Sequence, residues 1–276
     1  MRKHHATLVS RHEIYTNYVI LTLFAAIAIW PVGTILVQAL GPSNSSPVPG
    51  GIHLENFAGA WADGHFSSYM TNSVIVALTV VVLAVAASIL AGYAFGTMTF
   101  RGSTALFYLF LLGIMVPEEA IVVPLFFDLR ALHLTDTLVA VGGPQLAQSI
   151  AFGTYWMRTY FRQADRSITD AALIDGAAPR QVLWRVHVPI ARPAILTLVV
   201  LVFMWTWNEF LIPLIMSPTG GMRTAPLGLA FFQGQHLTDY ALLGAAAVIV
   251  ALPVVIVYLF TQRYFIAGMT EGAVKS

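Results

Sequence analysis

The length, composition and charge of this chain exclude a soluble globular protein. Its 276 residues are 58% hydrophobic and only 10% charged, with a formal net charge of +1. A soluble domain of this length carries roughly a quarter charged residues, so the excess of apolar side chains must face lipid. The chain has no cysteine, which excludes disulfides and thiolate metal sites. We expect no nucleic acid among its partners.

Six apolar stretches are long enough to cross a bilayer as helices, which takes about 20 residues each. In chain order they cover residues 18–40, 73–97, 105–127, 138–157, 194–216 and 240–264. Hydrocarbon offers the backbone no hydrogen-bonding partners, so each stretch must satisfy its own polar groups as a helix. We predict an all-α integral membrane protein with six transmembrane helices. Asn72 and Ser73 would cap the second span, and Pro213 and Pro253 would kink the fifth and sixth.

The first stretch has a second interpretation as a cleaved signal peptide. Arg2, Lys3 and Arg11 precede it, and Val37-Gln38-Ala39 faintly resembles a cleavage site. A signal peptide has an apolar region of about 7–15 residues. Because the stretch at 18–40 is longer, we interpret it as a retained span.

Arginine and lysine residues outside the predicted spans are distributed unequally between the two faces of the membrane. One face carries only Arg130 and Arg223. The other carries Arg2, Lys3, Arg11, Arg101, Arg158, Arg162, Arg166, Arg180, Arg185, Arg192, Arg263 and Lys275. Basic loops stay in the cytoplasm, so we expect both termini and the loop 158–193 on the cytoplasmic side of a prokaryotic plasma membrane. The outward-facing segments would be 41–71, 128–137 and 217–239.

Aromatic residues follow the first span at nearly helical intervals. The outer segment opens with Gly41-Pro42-Ser43-Asn44-Ser45-Ser46-Pro47, which cannot sustain a helix. Phe57, Trp61, Phe66 and Tyr69 come next. We predict a short helix at the membrane interface, where such rings settle.

The cytoplasmic loop contains a pattern that predicts two short helices joined by a bend. Thr169 or Asp170 would cap the first helix, and Asp170 also suits the positive end of its dipole. Gly176 would end this helix, because glycine readily adopts a positive φ. Pro179 suits the first turn of the second helix.

The second predicted helix has an apolar stripe of Val182, Leu183 and Val186, and Val188-Pro189 would end it. A loop of this kind has two interpretations on physical grounds. It is either a solvated connector held on anionic lipid by its arginines, or a docking element for another protein.

The spacing of this loop resembles the Glu-Ala-Ala motif (EAA motif) of ABC importer permeases. The pattern is Asp170-Ala171-Ala172, three residues, Gly176, nine residues, and Val186-His187-Val188-Pro189. Asp170 stands where the family has Glu, and Val186 and Val188 stand where it has Ile and Leu. The resemblance implies coupling helices that sit in a groove of a cytoplasmic ATPase. The residues it assigns to ATPase coupling are Asp170, Ala171, Ala172, Asp175, Gly176, Pro179, Val186 and Pro189.

Further stretches resemble the MalG-type permease subunits of carbohydrate ABC importers, over about residues 55–275. They are Asn72-Ser73, Ala91-Gly92-Tyr93-Ala94-Phe95, Phe100-Arg101-Gly102, Met115-Val116-Pro117, Pro124-Leu125-Phe126, Asp136-Thr137, Trp207-Asn208-Glu209-Phe210 and Gln262-Arg263-Tyr264-Phe265. The ending Gly272, Ala273, Val274 and Lys275 matches as well, and the resemblance implies that this tail contacts the ATPase.

What the resemblance implies is a type I ABC importer permease fold with cytoplasmic coupling helices. The implied partners are a second homologous permease, an ATPase pair, an extracytoplasmic solute-binding protein and a sugar-type substrate. We expect residues 1–66 to form the N-terminus, first helix and outer loop. Residues 67–265 would form the permease domain, and residues 266–276 a cytoplasmic tail.

Polar residues inside spans are costly, so they indicate function by default. In the fourth span Gln145, Gln148, Phe152 and Tyr155 share one helical face. In the fifth, Trp205, Asn208, Glu209 and Ile212 form a similar stripe. The hypothesis is that both stripes line a path for sugar, with amides for its hydroxyl groups and rings for its apolar face. The alternative is polar contact between helices.

The remaining ionisable residues give weaker indications. Glu118 and Glu119 follow Pro117 and mark an outward gate, a contact with the binding protein or, as we favour, a wet and irregular helix end. His187 in the loop is expected to be a surface histidine. The histidines form no metal-binding pattern, so we predict no metal site.

Three functions remain in competition on the sequence. The chain lacks the phosphate-binding Gly-x-x-x-x-Gly-Lys-Ser/Thr pattern, so an importer permease would bind no cofactor itself, and ATP and Mg²⁺ would act at a partner ATPase. An ion- or proton-coupled carrier would show internal repeats or charged midplane residues, and Glu209 alone is of that kind. An intramembrane enzyme would need a nucleophile and base at matching depth, for which the sequence gives no candidates.

Overall fold

The structure, a computed structural model, describes residues 11–44, 50–233 and 238–273, which are almost entirely helical. The helices are α1 Arg11–Ala39, α2 Glu55–Asp63, α3 Phe66–Thr97, α4 Ser103–Met115, α5 Glu118–Ala131, α6 Leu138–Gln163, α7 Arg166–Ile174, α8 Pro179–Gln181, the π-helical turn Val182–His187, α9 Val188–Ile190, α10 Arg192–Asn208, α11 Leu211–Met216, α12 Ala225–Gly228, the 3₁₀ turn Leu229–Phe232 and α13 Tyr240–Ala273.

Three stretches of the described helices are each long and apolar enough to cross a membrane alone: His12–Ala39, Phe66–Thr97 and Tyr240–Gln262. Two sharply bent helix pairs raise the number to five if each pair counts as one span. The fourth predicted span, α6, is less apolar and is not among them. Its 26 residues would nevertheless extend about 39 Å, which is enough to cross the hydrocarbon core.

The second span begins seven residues earlier than its hydropathy indicated, so the predicted cap at Asn72 and Ser73 is wrong. α3 starts at Phe66, after His65 with a φ of 53°. Both polar residues lie inside the helix and fix a distant loop instead. Asn72 Nδ2 donates to the Arg223 carbonyl at 3.0 Å, and Ser73 Oγ accepts from the Ala225 backbone N–H at 2.8 Å.

The third predicted span is not one continuous helix. α4 ends at Met115 and α5 begins at Glu118, and the two axes differ by 93°. Pro117 lies at the break, where its ring and missing N–H prevent an unbroken helix.

The fifth predicted span is also shorter than 194–216. α10 ends at Asn208, and Glu209 has an extended backbone with φ −64° and ψ 125°. Its Oε1 accepts a hydrogen bond from the Ile212 backbone N–H at 3.0 Å and so begins the separate helix α11. Pro213 lies in α11 rather than kinking a span, and Glu209 lies at a break rather than within a helix. Pro253 does lie inside α13.

Close packing of α3 against α6 forms the centre of the larger compact unit, residues 64–231 and from Val250 onward. Gly92 permits this approach, because a Cβ there would lie 2.9 Å from the Arg158 backbone nitrogen. Small residues are the usual means by which helices approach in membranes. α10 adds Leu198 and Val202 to the same buried core.

The smaller unit comprises residues up to Asp63 together with Phe232–Ile249. Asn56 holds the end of α1 there, because its Nδ2 donates to the carbonyls of Ala39 at 2.9 Å and Gly41 at 2.8 Å. The predicted short helix after the first span is present as α2, with Phe57 and Trp61. Phe66 and Tyr69 belong to α3 instead, since the chain turns between the two helices at Gly64 and His65.

Candidate functional site

A cavity of about 520 Å³ opens between four helices of the larger unit. α6 and α10 form its walls, the last turn of α4 contributes Ile114, and the first turn of α5 contributes Glu118. Both helix breaks therefore lie beside this cavity. Its volume falls within the range of about 300–1,000 Å³ that is usual for small-molecule sites.

The structure brings together most of the residues predicted for a substrate pathway. Those that line the cavity are Gln145, Gln148, Trp205, Asn208 and Glu209. Tyr155 does not line it and is 44% exposed elsewhere on α6. It lies ten residues beyond Gln145, or about 15 Å along the helix axis, which is past the end of the cavity.

Phe152, which belongs to the predicted stripe of α6, also lines the cavity. Other lining residues were not included in the stripes or were given another interpretation. Ser149 extends the face of α6, and Thr206 extends that of α10. Glu118, which we favoured as part of a wet helix end, lines the cavity because the bend at Pro117 points the start of α5 towards α6 and α10. No sequence signal short of that bend indicates this placement.

Several polar atoms of the cavity have no hydrogen-bonding partner among the described residues. Gln145 is 6% exposed, and its Nε2 donates to the Val141 carbonyl at 2.8 Å while Oε1 has no partner. Thr206 Oγ1 and Glu118 Oε1 are likewise buried without a partner. Buried acceptors without donors are rare because they are costly. The cavity is thus poised to accept hydrogen bonds.

Two aromatic rings supply an apolar part of the same surface. Phe152 and Trp205 meet edge to face with their centroids 4.8 Å apart. Edge-to-face contact is a preferred geometry for a pair of aromatic rings. Together with the acceptors, these rings suit a ligand with hydroxyl groups and an apolar face.

The loop 158–193 folds as helices, as predicted, but its first helix begins earlier. α7 starts at Arg166, and Asp165 caps it by accepting a hydrogen bond from the Ser167 backbone N–H at 2.9 Å. This hydrogen bond lowers the pKa of Asp165. The predicted cap at Thr169 or Asp170 is therefore wrong, because both residues lie in the second turn of the helix.

The bend after α7 is the one predicted. Gly176 has a φ of 81°, its N–H donates to the Leu173 carbonyl at 3.0 Å, and the Ala177 N–H donates to the Ala172 carbonyl at 3.0 Å. These two hydrogen bonds form a Schellman motif, in which the left-handed residue is usually glycine. The prediction of a positive φ at Gly176 is confirmed.

α7 presents an exposed surface of both charge and large apolar side chains. Asp170, Ala171, Asp175 and Gly176 are exposed, and Ala172 is half-buried. Ile174 is 85% exposed. Ile168 and Leu173 are also exposed. An apolar patch of this kind on a polar loop is a feature of interaction surfaces.

The second part of the loop is anchored inward. The turn Val182–His187 is π-helical, and α9 continues it to Ile190, beyond the predicted stop at Val188-Pro189. Val182 and Leu183 are buried, Val186 and Pro189 are half-buried, and Pro179 is exposed at the start of α8. π-Helical turns are frequent at functional sites.

His187 is buried rather than at the surface, so that prediction is wrong. It is 4% exposed, and its Nε2 lies 2.9 Å from Thr169 Oγ1 of α7. Its ring centroid lies 5.4 Å from that of Tyr93 on α3 and 5.9 Å from that of Phe161 on α6. Burial lowers the pKa of His187, which lies outside the spans that we assign. The π-turn rotates it away from solvent.

The C-terminal residues are only partly described. Gly272 and Ala273 end α13, and their side chains are not described, whereas Val274 and Lys275 lie outside the described residues. Within the described ranges, no group of three or more histidine, aspartate or glutamate residues is placed to hold a metal ion.

Comparison with known proteins relates the whole chain to membrane transport proteins. Residues 84–271 match the family described as binding-protein-dependent transport system inner membrane component. The trehalose transport system permease protein SugB of Mycobacterium tuberculosis is 32% identical over 92% of this chain and 95% of its own length. The trehalose/maltose transport system permease protein MalG of Thermococcus litoralis is 34% identical over 80% of this chain and 81% of its own length.

A solved structure shares the fold. It is the crystal structure of a bacterial ABC transporter involved in the import of the acidic polysaccharide alginate, with a TM-score of 0.75 and 24% identity over 93% of this chain and 98% of that chain. The family match covers both the cavity and the loop that bears α7. This chain therefore belongs to the family of binding-protein-dependent transport system inner membrane components.

Proposed function

We propose that this chain is the permease subunit of an ATP-driven importer that moves a sugar or sugar derivative across the prokaryotic plasma membrane. The observation that carries the proposal is the family match over residues 84–271. Relatives named for trehalose, for trehalose and maltose, and for arabinooligosaccharides indicate the substrate class. The acceptor-rich cavity with two aromatic rings is chemically suited to such a ligand.

We propose that a separate pair of ATPase subunits hydrolyses ATP and binds α7. ATP and Mg²⁺ act there, and this chain binds no cofactor. The exposed Asp170, Ala171 and Ile174 are available for that contact. His187 and Leu183 anchor the loop to the core of the spans, so a displacement of α7 would be transmitted to α3 and α6.

The remaining partners are a second homologous permease and an extracytoplasmic solute-binding protein. The binding protein delivers sugar from outside the cell. The segments that face this side are 41–71, 128–137 and 217–239. Both termini lie in the cytoplasm, and the tail Gly272–Lys275 contacts the ATPase. The family description itself names dependence on a binding protein.

The test is uptake by proteoliposomes that contain the assembled permeases and ATPase, with purified binding protein added outside. Radiolabelled trehalose, maltose and arabinotriose serve as probes. We expect uptake of at least one of them that requires ATP on the ATPase side and survives a protonophore. Uptake driven by a proton gradient without the ATPase would establish a secondary carrier and refute the proposal.

The contact between α7 and the ATPase gives a specific prediction for Asp170→Ala. Removal of this exposed carboxylate should reduce co-purification of the ATPase with the permease without affecting membrane insertion, because the structure describes no hydrogen bond from the Asp170 side chain to the rest of the chain. The matched control is Asp63→Ala, which removes an exposed carboxylate at the end of α2. Equal recovery of the ATPase with both variants would show that α7 does not dock through Asp170.

A further inference from the structure

We propose that the cavity of this subunit selects its ligand by charge, and that it accepts neutral or amino-bearing sugars while it disfavours uronates and phosphorylated sugars. This inference rests on the proposed function and narrows the substrate class. It follows from the formal charge of the lining, from the unpartnered acceptors and from the exposed rings.

The charged residues that line the cavity are both acidic. Glu118 enters from the first turn of α5, and Glu209 from the break after α10. The lining contributed by the described residues contains no lysine, arginine or histidine. The formal charge of this wall can therefore be negative and cannot be positive. A cleft lined by one sign of charge concentrates ions of the opposite sign and repels its own.

Hydrogen-bonding capacity leads to the same conclusion independently. Gln145 Oε1, Thr206 Oγ1 and Glu118 Oε1 are buried without partners, and Gln145 Nε2 donates one of its two protons to the Val141 carbonyl. Sugar hydroxyl groups and ammonium groups can donate to all three atoms, whereas an ionised carboxylate or phosphate group has no proton for Gln145 Oε1 or Glu118 Oε1 and could only accept from the Thr206 hydroxyl. An ionised acidic group in place of a hydroxyl would leave these two buried acceptors unsatisfied, which is costly.

The rings fit the same ligand class. Phe152 and Trp205 line the cavity and offer apolar surface to a pyranose face, and Trp205 is half-exposed. The negative face of an aromatic ring attracts an ammonium group and repels an anion. Charge, hydrogen bonding and ring electrostatics thus favour the same group of sugars.

The absence of cysteine in this chain permits a direct test of the charge inside the cavity. Gln148→Cys places a thiol on the exposed part of the lining, in an assembled complex whose partner subunits have been made cysteine-free. Its modification rates by two methanethiosulfonates of similar size are compared, one with a trimethylammonium group and one with a sulfonate group. Ser68→Cys, an exposed position on α3 outside the cavity, gives the reference ratio.

We expect the cationic reagent to be favoured at Gln148→Cys by about tenfold or more over the reference ratio. Adding Glu118→Gln and Glu209→Gln should return the ratio towards that of Ser68→Cys. A ratio equal to the reference, a ratio unaffected by the two glutamine substitutions, or no labelling by either reagent would overturn the inference. Stimulation of ATP hydrolysis by the binding protein, measured in the unlabelled complex that carries only Ser68→Cys, reports on the proposed function separately.

Discussion

At the scale of single residues, His187 shows how a loop side chain becomes structural. Its nitrogen lies 2.9 Å from Thr169 Oγ1, and its ring packs against Tyr93 and Phe161. One imidazole thus touches α7 and both central spans, α3 and α6. The neutral form is favoured, because burial lowers the pKa of His187.

A pH dependence of the loop follows from this shift. When α7 separates from the spans, His187 becomes exposed and regains an ordinary pKa of about 6.5. The opened state therefore binds protons more readily than the closed state, so closure is favoured above that pH and weakens as the pH falls. We expect hydrogen exchange of the amides in 166–190 to accelerate, relative to the chemical rate, between about pH 7.5 and pH 5.5.

The variant His187→Phe provides the control for this prediction. Phenylalanine keeps a ring against Tyr93 and Phe161 but cannot take up a proton. The acceleration at low pH should therefore disappear in this variant. An unchanged pH response would show that another group is responsible.

At the same scale, the sequence predicted half of the residues that line the cavity but not how far the cavity extends. Helical periodicity correctly placed Gln145 and Gln148 on one face of α6. It also included Tyr155, which lies on the same helical face but beyond the cavity. Periodicity predicts the direction in which a side chain points, but not how far along the helix the cavity extends. Glu118 was misjudged for the same reason, since its position depends on the angle between α4 and α5.

At the scale of elements, α7 ends in a way that depends on one backbone conformation. Gly176 holds φ at 81°, and a Cβ built there has no atom within 4 Å outside its neighbours. Side-chain bulk is therefore tolerated at this position. A residue that cannot adopt a positive φ is not tolerated there, because the hydrogen bonds of the Schellman motif would break.

Two substitutions of similar size at Gly176 can therefore test whether the positive φ, rather than the space available, is what this position requires. Gly176→Val should abolish ATP-coupled uptake while leaving the membrane level of the protein unchanged, because a β-branched residue strongly disfavours positive φ. Gly176→Asn should retain most of the uptake, since asparagine adopts this conformation at small cost. Comparable uptake by both variants would contradict a role for the bend.

The elements also show which boundaries hydropathy can predict. Long apolar runs identified α1, α3 and α13, because lipid exposure imposes a continuous apolar composition. Hydropathy did not predict the helix breaks at Pro117 and Glu209, because an interrupted helix inside a protein can have the same apolar composition as a continuous one. The start of α3 was missed because a helix can extend beyond the bilayer with polar residues such as Ser67 and Ser68.

At the scale of the whole molecule, the contact between α3 and α6 determines whether the larger unit holds together. A Cβ at Gly92 would lie 2.5 Å from Met157 Cβ and 2.9 Å from the Arg158 backbone nitrogen. Because one of these neighbours is backbone, the helices themselves would have to move apart. Overpacking of this kind typically costs about 1–3 kcal/mol.

We therefore expect Gly92→Ala to lower the thermal stability of the detergent-solubilised complex clearly, as measured by size-exclusion chromatography after heating. The matched control is Gly113→Ala on α4, where a Cβ would lie 3.5 Å from Ala151 Cβ in ordinary contact. That variant should melt close to the unsubstituted protein. Equal melting of the two variants would indicate that the α3–α6 contact can widen without cost.

The 93° bend between α4 and α5 also affects how this protein is made. A bent pair with Glu118 and Glu119 at its corner would expose carboxyl groups and open helix ends to lipid if it left the translocon alone. α4 packs against α6, which is synthesised only after α5. The helices therefore cannot enter the membrane one by one in the order in which the ribosome synthesises them. We expect residues 103–163 to leave the translocon for the bilayer together, once α6 has been synthesised.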